Sequence, residues 1–493
     1  MIAGGSMRNI EIRYTQAFVN GEYCSDPQGG KLPVYCPADG SLICEVESSS
    51  KGLVDKAVSA ARAALPVWNA LNAEKKSLAL RKVADAIRKR NDWIGDLETY
   101  NTGIPIATTK GHFANRSAFL FDYFSGMPDK IHGRVIPIDP AYLSMTIREP
   151  VGVVGVLLPW NAPFPEVCLS VSAAIACGNA VVVKPASDTP LTALIFGEIC
   201  NEAGLPPGLV NIVLGQGSDI GMYIAGHTDI NKVTFTGGVE TGREVLTASA
   251  GNFKTSTLEL GGKTPVIVCE DADLDLAAAQ ASFSSVRNSG QICTAASRLF
   301  VQRSIADRFV EDIIERMKTY QIGDPFDPAT VLGPMVSKHH RDNVLAAIEK
   351  GKKSGAKLLL GGNAPNEGPL KDGYFVNPTL FDDVDHSSPL AQEEIFGPVL
   401  SVFKFDTLEE AVRTANDINL GLGSAIFTRS IKNSQYFIER IEAGISWVNC
   451  INLSNPAISH GGFKDSGIGI QNGMDAALYS YTRNKTVWIN KGV

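Results

Sequence analysis

The stretch "VGVVGVLLP", residues 151–159, decides the fold because it is a short, unbroken apolar run that starts a repeating pattern. Similar runs follow, each leading through a glycine or proline turn into a segment with helical spacing: "NAVVVKP" (179–185), "GLVNIVLG" (208–215) and "NKVTFTGG" (231–238). Runs of β-branched residues that alternate with helices are typical of a parallel sheet covered on both faces. Such a sheet binds ligands at the carboxyl ends of its strands.

A second α/β pattern begins near residue 260. Its strands are predicted near 265–269, 297–302, 357–360, 398–405, 423–428 and 444–449. Upstream of the first pattern, apolar spacing predicts helices over 51–68 and 75–94. Residues 133–150 and the tail "NKTVWIN" (484–490) are strand-like. The sequence therefore predicts an α/β protein with two doubly wound parallel-sheet lobes and a small β element.

Composition excludes several classes of protein. The 493 residues carry a net charge of −7 and no Lys/Arg-rich run, which argues against nucleic-acid binding. The nine cysteines are scattered and form no CxxC, so we expect neither a disulfide framework nor a metal site. The longest apolar run, 151–159, is too short to span a bilayer. We expect a cytoplasmic protein without membrane contact.

Three residues stand out as candidates for chemistry, each with a structural alternative. Cys293, in "VRNSGQICTAA" (286–296), is either a buried small hydrophobe or a nucleophile approached by polar neighbours. Glu259, in "LELGGK" (258–263), is either salt-bridged or a general base whose pKa is raised by apolar surroundings. Asn161, in "LLPWNAPF" (157–164), is either a turn residue or a donor to an oxyanion.

Glycines between a strand and a helix indicate a phosphate site. In "FTGGVETG" (235–242) they precede a helical segment, whose N-terminus favours an anion. The stretches "GQGSDIG" (215–221) and "GIGIQNG" (467–473) resemble GxGxxG but have the wrong spacing, so each alone is weak evidence.

Taken in order, the motifs of the chain resemble those of the aldehyde dehydrogenase superfamily. The matching motifs are "PWN" (159–161), "KPAS" (184–187), "FTGG" (235–238), "LELGGK" (258–263), "NSGQICTA" (288–295), "EEIFGPV" (393–399), "GGFKDSG" (461–467) and "KTVW" (485–488). The resemblance implies NAD(P)-dependent oxidation of an aldehyde to a carboxylic acid through a cysteine thiohemiacetal and thioester. It also implies a non-CoA-acylating member, because CoA-acylating relatives typically lack the glutamate found here at Glu259.

The same resemblance implies roles for individual residues. Cys293 would be the nucleophile, Glu259 the general base, and Asn161 with the backbone N–H of Cys293 the oxyanion hole. The residues expected to contact the cofactor are Leu158, Pro159, Trp160, Lys184, Ser187, Gly217, Gly237, Gly238, Leu260, Glu394 and Phe396. Because Ser187 stands where many NAD-preferring relatives carry a glutamate, we expect both NAD and NADP to be used.

The resemblance also implies a domain organisation. The NAD(P)-binding domain would comprise residues 1–129 and 151–259, and the catalytic domain residues 260–475. Residues 130–150 and 476–493 would form an oligomerisation element, so we expect a homodimer or a homotetramer.

The substrate is the least determined feature. Arg287 matches an arginine of succinic semialdehyde dehydrogenases, but the position of their second arginine is Leu169 here. With Phe164 and Phe463 nearby, the tunnel is expected to be mainly apolar, which favours an aliphatic or aromatic aldehyde over a semialdehyde. Two further alternatives stay open: a cysteine hydrolase or acyltransferase without redox chemistry, and a catalytically silent binding protein on this fold.

Overall fold

The computed structural model describes residues 10–492 and contains two mostly parallel sheets. The strands of the first sheet, in spatial order, are Glu22–Cys24, Ala17–Val19, Val210–Ile212, Ala180–Lys184, Val153–Leu157, Lys232–Thr236, Thr255–Glu259 and Gly467–Ile468. Those of the second are Lys357–Leu360, Thr379–Asp382, Val399–Phe405, Ala296–Gln302, Thr264–Val268, Gly423–Phe427 and Ile445–Val448. The expected α/β fold class is thereby confirmed. Residues 1–9 and 493, which fall within the predicted cofactor domain and oligomerisation element, lie outside the described residues.

Smaller antiparallel sheets contain the remaining strands. Thr482–Asn490 pairs along all nine residues with Tyr142–Pro150, whose other edge takes Arg134–Val135. The remaining pairs are Lys31–Tyr35 with Leu42–Glu47 and Leu420–Gly421 with Phe463–Lys464. The small β element therefore exists, whereas the domain boundaries stay a prediction.

Helices cover the sheets. The α-helices are Lys51–Asn69, Ala73–Lys89, Asn91–Thr102, Ile106–Thr108, Ala114–Ser125, Pro163–Ala176, Leu191–Glu202, Met222–Gly226, Val239–Ser249, Leu274–Val286, Ala306–Thr319, Lys338–Lys353, Pro389–Gln392, Leu408–Asn416, Ile431–Arg440 and Met474–Tyr481. In the second sheet Val266 and Val268 pack into one apolar layer and Ile267 into the other, as strand alternation requires. Among residues 10–492, no helix combines the length and the apolar character that a bilayer crossing needs.

One local expectation was wrong, and one glycine-rich stretch belongs to the first sheet. The helix expected over 75–94 is interrupted at Arg90, whose guanidinium lies 2.8 Å from Glu198 and whose backbone leaves helical geometry (φ −107°, ψ 11°). The weak glycine-rich stretch 467–473 contains Gly467–Ile468, which pairs antiparallel with Thr255–Glu259 at the edge of the first sheet.

The register of the first sheet brings the predicted motifs to one edge. Leu157 is paired with Lys184, and Thr236 with Glu259, so the turns after these residues lie side by side at the carboxyl ends of the strands. The turn after Leu157 contains Asn161. This edge is where a doubly wound sheet binds its ligand.

Candidate active site

Cys293 lies just before the strand Ala296–Gln302, at the amino edge of the second sheet. It lines a cavity of about 250 Å³ together with Asn161 and Glu259 from the carboxyl edge of the first sheet. The three residues that the sequence singled out therefore meet between the two sheets, although 132 positions separate the outer two.

The backbone leading to Cys293 is unusual. Asn288, Ser289 and Gly290 have positive φ values of 50°, 54° and 73° in succession. The first two conformations are costly for residues with a side chain. Ser289 is held by a hydrogen bond that its Oγ donates to the carbonyl of Gly333 (2.7 Å). At Gly290 a Cβ would lie 2.2 Å from the carbonyl oxygen of Gly397, so no larger residue fits. The loop thus presents the thiol from a tightly constrained backbone.

The Cys293 thiol is half-buried at the cavity wall. Burial is the main cause that raises the pKa of this thiol, and the charges of Glu166, Glu394 and Glu259 raise it further. The thiol is therefore neutral in this state of the protein, and formation of a nucleophilic thiolate requires a proton acceptor.

Asn161 is positioned by the loop that carries the thiol. Its Nδ2 donates a hydrogen bond to the backbone carbonyl of Gln291 (3.0 Å), and the backbone carbonyl of Asn161 accepts one from Nδ2 of Asn288 (3.1 Å). The side-chain amide is thus fixed two residues from Cys293. One Nδ2 hydrogen remains to meet negative charge that develops next to the sulfur.

Glu259 ends its strand and is 5% exposed. Within the described part of the chain, neither of its carboxylate oxygens has a hydrogen-bond partner. Burial is the main cause that raises the pKa of Glu259 well above its usual value, followed by the charge of Glu166. A buried carboxylate with a raised pKa and free lone pairs has the properties of a general base.

The predicted substrate residues lie only partly at the cavity. Of the predicted substrate residues, Arg287 and Leu169 line the cavity. Phe164 does not, because the first turn of its helix directs it into the core, where it is 0% exposed and packs against Phe196. Phe463 does not either, because it lies on the small pair Leu420–Gly421 with Phe463–Lys464 and is 53% exposed. The two phenylalanines were therefore wrongly placed in the tunnel, whereas Leu169 and other apolar side chains do line it.

Charged and titratable side chains that the sequence reasoning missed also line the cavity. They are His112, Arg116, Glu166 and His460. Burial raises the pKa of Glu166 to about 7, against the opposing charge of Arg116. A signal existed for Glu166, since it is the one carboxylate in the largely apolar helix Pro163–Ala176. No such signal marked the other three, because their loops and helices approach the cavity only in the folded chain.

The residues expected to bind the adenosine end of a cofactor lie together at the first sheet. Lys184 is buried, donates from Nζ to the carbonyl of Pro185 (2.8 Å), and has a pKa lowered to about 8 by burial. Oγ of Ser187 donates to Oε1 of Gln216 (3.4 Å), next to Gly217. Leu158 donates its backbone N–H to the carbonyl of Lys184 (3.0 Å).

The glycines next to them leave space for phosphate. A Cβ added at Gly217 or Gly238 would meet nothing within 4 Å. Gly238 caps the helix Val239–Ser249 without any side-chain hydrogen bond, so the first N–H groups of that helix are available. At Gly237 a Cβ would lie 2.4 Å from the Phe235 ring, and Gly242 packs against Leu260. These features fit a dinucleotide, whose phosphates are bound by free N–H groups at a helix N-terminus.

Of the remaining expected cofactor residues, Glu394 lies close enough to Cys293 for its charge to act on the thiol. Oε1 of Glu394 accepts the backbone N–H of Gly262 (2.9 Å), and burial raises the pKa of this carboxyl to about 7. The Trp160 ring, which follows Pro159, lies edge-on to Phe396 with the centroids 5.2 Å apart. The roles of these residues stay predictions. Within the described residues, no group of three His, Cys, Asp or Glu is placed to hold a metal ion.

Comparison with known proteins identifies relatives of the whole chain. Residues 24–487 match the model described as "Aldehyde dehydrogenase family". Retinal dehydrogenase 2 from Homo sapiens is 40% identical over 487 residues, which cover 98% of this chain and 93% of that protein. Retinaldehyde dehydrogenase 3 from Rattus norvegicus is 42% identical over 489 residues, covering 98% and 94%.

Solved structures of similar proteins superimpose on nearly the whole chain. PnpE from Pseudomonas sp. WBC-3 superimposes with a TM-score of 0.95 at 39% identity, covering 97% of this chain and 98% of that one. PnpE in complex with nicotinamide adenine dinucleotide gives a TM-score of 0.96 at 39% identity, with 98% of each chain covered. Betaine aldehyde dehydrogenase from Staphylococcus aureus, in complex with NAD+, gives 0.95 at 34% identity, covering 97% and 95%.

Proposed function

Because the chain belongs to the aldehyde dehydrogenase family, we propose that it oxidises an aldehyde with an anionic group at its far end, using NAD or NADP. NAD-dependent oxidation of an aldehyde is the activity of this enzyme, in keeping with the NAD-bound relatives. The anionic group of the substrate and the use of NADP are the new elements of the proposal.

Each candidate side chain has its own role in the proposed reaction. The Cys293 thiol releases its proton to solvent, its thiolate attacks the aldehyde carbonyl, and Nδ2 of Asn161 stabilises the oxyanion of the thiohemiacetal. When bound, the nicotinamide dinucleotide supplies the oxidant that accepts the hydride of this reaction. Glu259 then removes a proton from the water that hydrolyses the acyl group on Cys293. Glu394, Lys184 and the N-terminus at Gly238 would hold the dinucleotide.

A pair of arginines carries the proposal for the substrate. Arg116 and Arg287 line the cavity of Cys293, and neither guanidinium donates a hydrogen bond to another described residue. Burial lowers the pKa of both, and the charge of Arg116 lowers that of Arg287 further, so the two cations repel each other. Among residues 10–492, Glu166 supplies the negative charge that offsets Arg116. A substrate carboxylate would supply the missing negative charge and accept hydrogen bonds from either guanidinium.

A second candidate substrate is an uncharged aromatic or aliphatic aldehyde. The same cavity has apolar walls at Phe113, Leu169, Trp447, Leu453 and Ile458. Values of kcat/KM for succinic semialdehyde, hexanal and benzaldehyde decide between the two. A value for the semialdehyde no higher than the others would make the uncharged class correct. Failure to form NADH or NADPH with any aldehyde would favour the hydrolase or silent-protein alternatives.

Use of NADP rests on the side chain at position 187. Ser187 is half-buried and close to Lys184, so a 2′-phosphate would find a hydroxyl donor and a cation there instead of a carboxylate. Initial rates with both cofactors at one aldehyde concentration test this proposal.

Oligomerisation through the small β element is also proposed. Exposed apolar side chains on and near its strands are Val135, Ile136, Ile138, Tyr142, Trp488 and Ile489. A row of this kind on a sheet with unpaired edges favours association of two copies. Light scattering after size exclusion should give a dimer or a tetramer.

We also propose a cytoplasmic location, which suits nine cysteines without a disulfide.

A further inference from the structure

His460 lies next to the candidate base. Its Nε2 is 3.9 Å from Oε2 of Glu259, and both side chains line the cavity of Cys293. The imidazole is carried by a short segment whose backbone is fixed, because His460 and Gln471 exchange two backbone hydrogen bonds of 2.7 Å. No side chain of the described residues donates a hydrogen bond to either oxygen of Glu259.

The distance of 3.9 Å exceeds the range of a hydrogen bond, so the contact requires the two side chains to move closer together. Catalytic hydrogen bonds are often long in a protein without substrate and shorten once substrate is bound. Ionising a buried carboxylate that has no hydrogen-bond donor costs free energy. A hydrogen bond from His460 to Glu259 would reduce that cost.

The charge of the imidazole determines what it can do. Burial, followed by the charge of Arg116, lowers the pKa of His460 to about 4. The side chain is therefore neutral at physiological pH and can present Nε2–H as a donor. The other titratable or charged groups that face this part of the cavity are His112, Arg116, Glu166, Arg287 and Cys293.

We propose that His460 is a positioning residue for Glu259, donating a hydrogen bond from Nε2 to Oε2 that orients the carboxylate and favours its ionised form. This inference rests on the proposed role of Glu259 as the general base. A hydrogen bond to the ionised form lowers a carboxyl pKa. His460 would thus partly offset the upward shift that burial imposes on Glu259, and keep more of the base active near neutral pH.

The test compares acylation with hydrolysis in His460→Phe and His460→Gln. The first burst of reduced cofactor reports formation of the acyl-enzyme, and the later steady rate reports its hydrolysis. His460→Phe should lower the steady rate about tenfold, the loss expected for one hydrogen bond to a charged group, with a smaller effect on the burst rate. The acid limb of its pH–kcat profile should move upward by about one pH unit. His460→Gln keeps an N–H donor and should recover most of the rate.

Several results would overturn the inference. These are an unmoved acid limb in His460→Phe, an equal fall in burst and steady rate, or a Gln variant as slow as the Phe variant. His112→Phe removes another histidine of the same cavity and should leave the acid limb in place, and an equal shift there would assign the effect to the general charge of the cavity. Glu259→Gln separates the two proposals. If that change does not slow hydrolysis, the proposed base is wrong, whereas slow hydrolysis in Glu259→Gln with unaltered His460 variants refutes the inference alone.

Discussion

Nδ2 of Asn161 donates a hydrogen bond to the backbone carbonyl of Gln291 at 3.0 Å. This contact joins the carboxyl edge of the first sheet to the loop that carries Cys293 at the amino edge of the second. The proposed oxyanion donor and the proposed nucleophile are therefore positioned by one another, and a change at Asn161 should affect both.

Asn161→Ala should reduce kcat by roughly 10²–10³, the effect of removing one oxyanion donor in other acyl-transfer sites. Steady-state kinetics with a saturating aldehyde give the value. Cofactor affinity, measured by quenching of protein fluorescence, should stay the same, because the Asn161 amide is proposed to contact the aldehyde oxygen and not the dinucleotide. A loss smaller than threefold would contradict the assignment.

Cys293→Ala should abolish aldehyde oxidation and leave cofactor binding intact, since only the covalent step is lost. Cys24→Ala is a matched control, because Cys24 is a half-buried free cysteine that does not line the cavity. It should keep full activity. Residual turnover of a tenth of wild type in Cys293→Ala would show that another group is the nucleophile.

Glu259→Gln should slow hydrolysis of the acyl-enzyme more than its formation, giving a stoichiometric burst of reduced cofactor and then little turnover. The kcat of the wild type should depend on pH through the ionisation of Glu259. Only the ionised carboxylate accepts a proton, and its pKa is raised, so kcat should fall as the pH drops while still above the ordinary glutamate range. A profile that stays flat down to about pH 5 would argue against Glu259 as the base.

Arg287→Leu should lower kcat/KM for succinic semialdehyde at least tenfold and change that for hexanal little, because only the semialdehyde carries a carboxylate. Arg116→Gln should act in the same direction. Arg287→Lys retains the charge without the planar fork and should give an intermediate value. Equal effects on both aldehydes would mean that these arginines support the cavity wall and do not bind the substrate.

Ser187→Glu should sharply reduce the rate with NADP and leave the rate with NAD largely unchanged, because a carboxylate repels a 2′-phosphate and accepts hydrogen bonds from a 2′-hydroxyl. Ser187→Ala is the control for loss of the hydroxyl alone. If the wild type has no measurable activity with NADP at millimolar concentration, the interpretation of Ser187 as permissive is wrong.

The sheets could be predicted from the sequence because their strands are continuous apolar runs, such as Ala180–Lys184 and Gly423–Phe427, which are buried throughout. The strand Thr379–Asp382 was missed because it follows a proline and ends in an aspartate. The helix break at Arg90 depends on Glu198, which is distant in sequence. Such a break could not be predicted from the neighbouring residues alone.

Within the site, the sequence identified residues that follow strand ends or stand in specific motifs, which the fold then brings together. It placed Phe164 and Phe463 in the tunnel because they are near in sequence to Asn161 and to the "GGF" motif. Closeness in sequence does not fix the direction of a side chain. Arg116 and His460 reach the cavity from segments more than 300 residues apart, a relation that only tertiary structure shows.

The three successive left-handed residues before Cys293 have a consequence for redesign. Asn288 and Ser289 hold conformations that most side chains resist, and Gly290 admits no larger residue. Randomising positions 288–290 in a mutant library would yield mostly inactive clones, whatever substrate is selected. Leu169 and Leu453 line the same cavity from other elements with ordinary backbone geometry. Directed evolution of the substrate range should therefore begin at these two positions.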